Sequence, residues 1–459
     1  MAFESRKNPI TERIAAYLAE APVMALTQAV ADKAQHHILD SVAAMVSGAA
    51  LEPGRLAISY ARKYGGAPAA VVAGSALRTD VVTAALANGM CAHADETDDF
   101  HVASITHPGS AVVPAALVLA EVQNASGARF LRATVAGYDL CCRMVMAVEA
   151  ERTFAEGRAT HGLGGLFGAA AAAAVVLGLK AEQIPHLLSY TAQQASGLVC
   201  WRRDLRHVEK AFDFSGAAAR NGVQTATMIA HGMTGVPDAL EGPLGFFAVF
   251  GRGADPTPAW RDLGERPIIL DACIKKWCVG SPNQAPLDAL EAISKEERLE
   301  PEAIEAITVR LPSNVIGIVD SGPMANVNCQ HLLALHIVDG GLTFRSSHDQ
   351  ERMSDPAVLA LRQRIRLEPD ESLATAQPPR QGIVEIRLRD GRMLRHHAKV
   401  VRGTPHNPMT EDEVAAKALD LMRPVLGYER SRRVVDTVLR LEGLSNTADL
   451  ARMLATSRE

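Results

Sequence analysis

From about residue 10 to 265, apolar residues recur every three to four positions, the spacing of helices that turn one face inward. In HHILDSVAAMVSGAA, Ile38, Leu39, Val42, Met45 and Val46 fall on one face. SAVVPAALVLAEVQNASG predicts a second helix, capped by Ser110, carrying Pro114 near its first turn and stopped by residues 124–127. FLRATVAGYDLCCRMVMAVEAE predicts a third. Residues 162–179, GLGGLFGAAAAAAVVLGL, are 18 positions without a charge, the lower edge of a membrane-spanning length. Their Ala and Gly content predicts instead a buried helix whose small residues let neighbours approach closely.

After Pro267 the pattern changes. AITVRLP is short and β-branched, and GIVEIRLRDGRMLRHHAKVV alternates Val384, Ile386 and Leu388 with Glu385, Arg387 and Arg389 before an Asp390-Gly391 turn, the signature of a hairpin. DPAVLALRQRI predicts a helix beside these strands. NPMTEDEVAAKALDLM then opens a helix with Thr410 and Glu413 spaced as a capping box. The expected architecture is mainly α: a large helical domain, residues 1–267 with 404–459, into which a smaller α+β domain, residues 268–403, is inserted.

Composition narrows the function classes. The 459 residues carry 47 Lys and Arg against 52 Asp and Glu, and no basic run gathers them, so nucleic acid is not an expected partner. The first twenty residues interleave Glu and Arg with apolar residues, which is not the uninterrupted apolar core of a secretory signal. A cytoplasmic protein without a membrane span is expected. Seven cysteines without a CxxC pair argue against a disulfide framework, a zinc finger or an iron-sulfur centre.

Residues 93–110, HADETDDFHVASITHPGS, hold three histidines, three aspartates and a glutamate with no Lys or Arg among them. Three readings compete: a metal site, a general acid/base site, and helix caps with a solvated turn. His93 and His101, with Asp95, Glu96, Asp98 and Asp99 between them, offer ligand atoms, but neither HExxH nor a 2-His-1-carboxylate spacing is present. The acid/base reading draws on His107, which stands before Pro108-Gly109 at a helix mouth, and on His161, which stands before the Gly/Ala helix. Cations follow in two groups, Arg202, Arg203, Arg206 and Lys210, then Lys275 and Lys276, and together these could grip carboxylates.

The segments HADETDDFH…HPGSAVVPAALVLAE, VAGYDLCCR, THGLGGLFGAAAAAAVVLGL, GAAARNGV, KKWCVGSPNQAPLDAL and RGTPHNPMTEDEVAAKA resemble, in order and separation, those of the MmgE/PrpD family. The resemblance runs from about residue 10 to 445. It implies a helical domain with an α+β lid, a homodimer, and chemistry without a cofactor or metal on small polycarboxylates in a cleft between the domains. It places the acid/base histidines at His107 and His161 and a lysine at Lys210, with one position of slip. The lysine opening the lid motif falls on Lys275 or Lys276. Glu96 stands where the family has a catalytic-site Asp, Phe100 where it has Thr, and Gln284 where it has His. Lys276, Arg202, Arg203, Phe100, Gln284 and Asp99 make up the expected substrate-binding set around the catalytic His107, His161, Glu96, Lys210 and Lys275. The implied activity is a lyase that dehydrates a small hydroxy di- or tricarboxylate; an epimerase of a dicarboxylate and a decarboxylase are the alternatives.

Overall fold

A computed structural model describes residues 9–456 of the protein. Of the charged N-terminal stretch, residues 1–8 lie outside the described residues, and Pro9–Glu20 is a helix. Contacts divide the chain into two units, one running to Ala272 and resuming at Val414, the other Cys273–Glu413. The sequence reading put these boundaries at 267/268 and 403/404. Residues 404–413 stay with the second unit because Arg402 holds Glu413 through its guanidinium and, through its backbone N–H, Asp288 at 2.7 Å.

In the first unit the Gly/Ala run is the helix Thr160–Leu177, long and apolar enough to cross a membrane by length and composition, and 89% buried inside the fold. It packs on helices Pro108–Val122, Gly127–Met146 and Ala217–Ala230. Glycine makes this approach possible: a Cβ on Gly168 would sit 2.7 Å from the carbonyl oxygen of Gly137. Helix Gln28–Gly48 is buried almost all round from His37 onward, so the predicted apolar stripe is one side of an enclosed helix. The unit is not purely helical, since β1 (Ala70–Val71) pairs antiparallel with β2 (Arg78–Thr79).

The second unit is built on a four-stranded sheet in the order β4–β3–β5–β6. The predicted strands are β3 (Ile304–Pro312) and the hairpin β5 (Gly382–Leu388) and β6 (Met393–Ala398), turned at Gly391 with φ 89°. Val384, Ile386 and Leu388 face the core, against which helix Gln284–Glu296 packs, and Arg387 faces out. The edge strand β4 (Ile365–Asp370), parallel to β3, was not predicted. IRLEPD carries two apolar side chains and a proline, a composition tolerated only at an edge, and it directly follows the helix Pro356–Arg362.

Candidate active site

The acidic stretch lies in the first unit, between the C-terminus of helix Val81–Ala92 and the N-terminus of helix Pro108–Val122, and almost all of it is buried. It is therefore not a solvated turn. Its acids have separate duties. Asp95 closes a local turn on Thr97. Asp99 accepts from His37 Nδ1 at 2.7 Å, from the Tyr138 hydroxyl at 2.6 Å and from the backbone N–H of Gly109 at 2.9 Å. Asp99, not Ser110, thus holds the start of the Pro108 helix, and Ser110 lies inside that helix with its hydroxyl donated to the His107 carbonyl. Position 109 has no room for a side chain, because a Cβ there would lie 2.4 Å from Ser41 Oγ and 2.6 Å from the Tyr138 hydroxyl. Asp99 is a scaffold, which removes it from the substrate-binding set.

Asp98 orients the histidines. Its Oδ2 meets His93 Nδ1 at 2.9 Å and His107 Nδ1 at 3.1 Å. His161 enters from the Thr160 helix, whose first residue bonds through its hydroxyl to the carbonyl of Ile105 at 2.7 Å. Ile105 has φ 52°, an uncommon conformation for a β-branched residue, in the turn closed by the His101–Thr106 bridge. The rings of His107 and His161 end 5.3 Å apart. A π-helical turn, Phe212–Gly216, inserts Phe214 between His93, stacked at 4.2 Å, and His161, stacked at 3.8 Å. Trp201 and Phe154 meet the His161 ring edge-on. Lys210 pairs with Glu96, and its ammonium also lies 5.0 Å over Phe214 and 5.4 Å over Trp201.

Burial, then the positive charges possible on His107, Lys210 and His93, holds His161 well below the usual histidine pKa, so its ring is neutral at pH 7. His207 is lowered by burial, Lys210 and His93. Asp213, in the π-turn, is raised to about 7 by burial and then by Glu209, with Trp201 acting the other way. An unfolded chain releases that proton near 3.8 and the folded one near 7, so the folded state loses stability as pH rises through this window. Asp213→Asn is expected to remove that loss: its stability relative to the parent should be higher at about pH 8 than at about pH 4 by roughly 3–4 kcal/mol. Thermal unfolding at the two pH values checks this, and an equal difference at both contradicts it.

His107, His161, Glu96 and Lys210 are thus brought together. Phe100 is buried in the same stretch. Arg202 and Arg203 are both exposed, and Arg202 lies 4.7 Å over Phe154, the ring that borders His161. In the second unit Lys275 is buried, whereas Lys276 pairs with Glu291 at 2.6 Å and covers Trp277. Gln284 is spent on the local backbone, accepting from the Trp277 N–H and donating to the Trp277 and Val279 carbonyls. That makes it a staple of the 277–284 turn. Sequence reasoning missed His207, Phe214, Trp201 and Asp213, which no spacing links to residues 93–107.

Family models match both parts of the chain, the MmgE/PrpD N-terminal domain over residues 12–259 and the MmgE/PrpD C-terminal domain over residues 277–442. The chain belongs to the MmgE/PrpD family. This MmgE/PrpD chain is 25% identical to the cis-aconitate decarboxylase-like protein oryM of Aspergillus oryzae, over 93% of its own length and 92% of the relative's. It is 24% identical to human cis-aconitate decarboxylase, over 97% and 94%, and 23% identical to that of Aspergillus terreus, over 99% and 97%. These MmgE/PrpD relatives are enzymes of the lyase type, and both domains of the family contribute to the match.

Proposed function

We propose that the protein is a lyase for a small di- or tricarboxylate, working by histidine acid/base chemistry, with dehydration of a hydroxy acid as its reaction. One observation carries the reading: two histidines with rings 5.3 Å apart, His107 in contact with the Asp98 carboxylate and His161 enclosed by aromatic rings. His161 is neutral and can accept a proton. His107 Nδ1 meets the Asp98 carboxylate at 3.1 Å, which orients its ring, and it would serve as the donor. His161 would take the proton from carbon next to a carboxylate, and the electron pair would move into that carboxylate as an enolate. The C–O bond would then break, with His107 protonating the departing hydroxide to give water. The enolate carries two negative charges, and Lys210 would offset them.

Decarboxylation is the second reading, supported by the activity in the relatives' names. The same two histidines would serve it, with a proton added to carbon as CO2 leaves. The test is a panel of hydroxy and unsaturated di- and tricarboxylates followed by NMR. Loss of water supports dehydration, loss of CO2 replaces it with the second reading, and stereochemical inversion without loss of mass makes the protein an isomerase. No conversion of any acid would overturn the proposal.

A further inference from the structure

Residue 207 is 114 positions from residue 93, so the sequence gives no metal-binding spacing, yet the fold closes one. Ligand atoms of His93, Glu96 and His207 lie within 4.8 Å of one another, and all three residues are buried. A second group, His93, Asp98 and His107, meets the same distance test. In that group Asp98 Oδ2 already joins the two Nδ1 atoms, so those contacts are in use. The first group differs, because Nε2 of His93 and Nε2 of His207 are both buried without a hydrogen-bond partner. A buried imidazole nitrogen without a partner is costly unless a ligand satisfies it, and here two such nitrogens belong to histidines of one cluster.

The arrangement around His93 is what a metal-binding imidazole requires. An ionised carboxylate can only accept, so Asp98 fixes the proton on His93 Nδ1 and leaves the lone pair on Nε2. A carboxylate behind a ligating histidine orients the ring and raises its basicity toward the ion. His207 is held by its own backbone, at φ 60°, at the start of the Val208–Ala211 turn, and its ring centroid lies 5.1 Å from that of His93. Two imidazoles and one carboxylate suit Zn²⁺ and its first-row neighbours, and leave a coordination position open. Zinc–ligand lengths of about 2.0–2.1 Å need the three groups to close by at most about an ångström, a side-chain adjustment.

We propose that His93, Glu96 and His207 bind a divalent first-row transition ion, with Zn²⁺ the best match, and that the bound ion inhibits the enzyme. The inhibition, though not the binding, rests on the function proposed above. Lys210 pairs with Glu96, and a dication at the carboxylate would compete with that ammonium. Occupation therefore displaces the cation assigned to the enolate and places a second positive charge beside His107, whose ring is 5.1 Å from His93.

The test is calorimetric titration of metal-free, full-length protein with Zn²⁺, which needs no turnover. One Zn²⁺ per chain is expected, with affinity reduced at least about tenfold in both His207→Ala and the bulkier His207→Gln, each checked for fold by circular dichroism. A wild-type protein that takes up no Zn²⁺, or folded variants that bind it as tightly as wild type, would overturn the site. A reading independent of variants is the proton NMR spectrum of the Co²⁺-loaded wild type. The buried His93 Nδ1–H and a second imidazole should show strongly shifted resonances, and the absence of both would also overturn the site. Where the protein turns over a substrate, Zn²⁺ inhibition should follow the binding curve; full activity at full occupancy would overturn the inhibitory role.

Discussion

Replacing either His107 or His161 by alanine is expected to lower kcat by roughly 100-fold or more, the usual size of a lost general acid or base. Neither change should unfold the protein. His107 is the one partly exposed member of the Asp98 triad, with 11% of its side chain accessible, and its loss leaves Asp98 bonded to His93. His161 has a buried Nδ1 with no hydrogen-bond partner, so its removal strands no polar group. The two lesions should differ in kind. Under the proposed mechanism His161→Ala should lose proton removal itself, whereas His107→Ala should retain it and stall at departure of the leaving group. Steady-state kinetics beside circular dichroism measure the first effect, and a folded variant with near-parental kcat removes that histidine from the mechanism.

The second large effect lies far from the histidines in sequence. Lys417, on helix Glu411–Leu426, reaches into the acidic stretch: its ammonium pairs with Asp40 at 2.6 Å and donates to the carbonyl of Thr97 at 3.0 Å. Both members of the pair are buried, and Asp40 is raised to about 6, chiefly by burial, with Lys417 opposing. Lys417→Met leaves Asp40 without its cation and is expected to cost about 3–5 kcal/mol at neutral pH, the range for breaking a buried pair. The sign with pH follows from the raised value. Below about 4 the Asp40 carboxyl is protonated whether folded or unfolded, so the damage is small there; it grows as pH rises and the unfolded chain gains by ionising. Adding Asp40→Asn should recover most of the loss. Denaturant unfolding at two pH values measures both, and a Lys417→Met protein equally stable at both would contradict the assignment.

That lysine also explains why residues 93–110 were only partly legible. The stretch carries no cation of its own: Lys210 pairs with its Glu96 and Lys417 donates to its Thr97 carbonyl, and both enter from positions where the sequence shows only an ordinary charged residue within a helix. His107 and His161 could be picked out because Pro-Gly and a run of small residues mark the helix starts beneath them. Asp99 could not be told from Asp98 by type or neighbourhood; only the fold gives one to a helix start and Tyr138, the other to two histidines. His207 sits in a charged, partly exposed segment and reads as a surface residue until the π-turn brings Phe214 and Lys210 beside the histidines. Of the two adjacent lysines, Lys276 is resolved by its bond to Glu291, a contact fifteen residues away that periodicity does not specify. In the second unit the hairpin was readable from alternation and its Asp-Gly turn, whereas β4 alternates only Ile365 and Leu367 with charged residues and follows the helix ending at Arg362 with no turn residue to set it apart.

Base and acid roles for His161 and His107 on a carbon beside a carboxylate are tested by deuterium incorporation from D2O into a converted carboxylic acid, followed by NMR in the parent and in the two alanine variants. Exchange is expected in the parent, retained exchange without elimination in His107→Ala, and no exchange in His161→Ala. Exchange at the parental rate in a folded His161→Ala protein would contradict those roles.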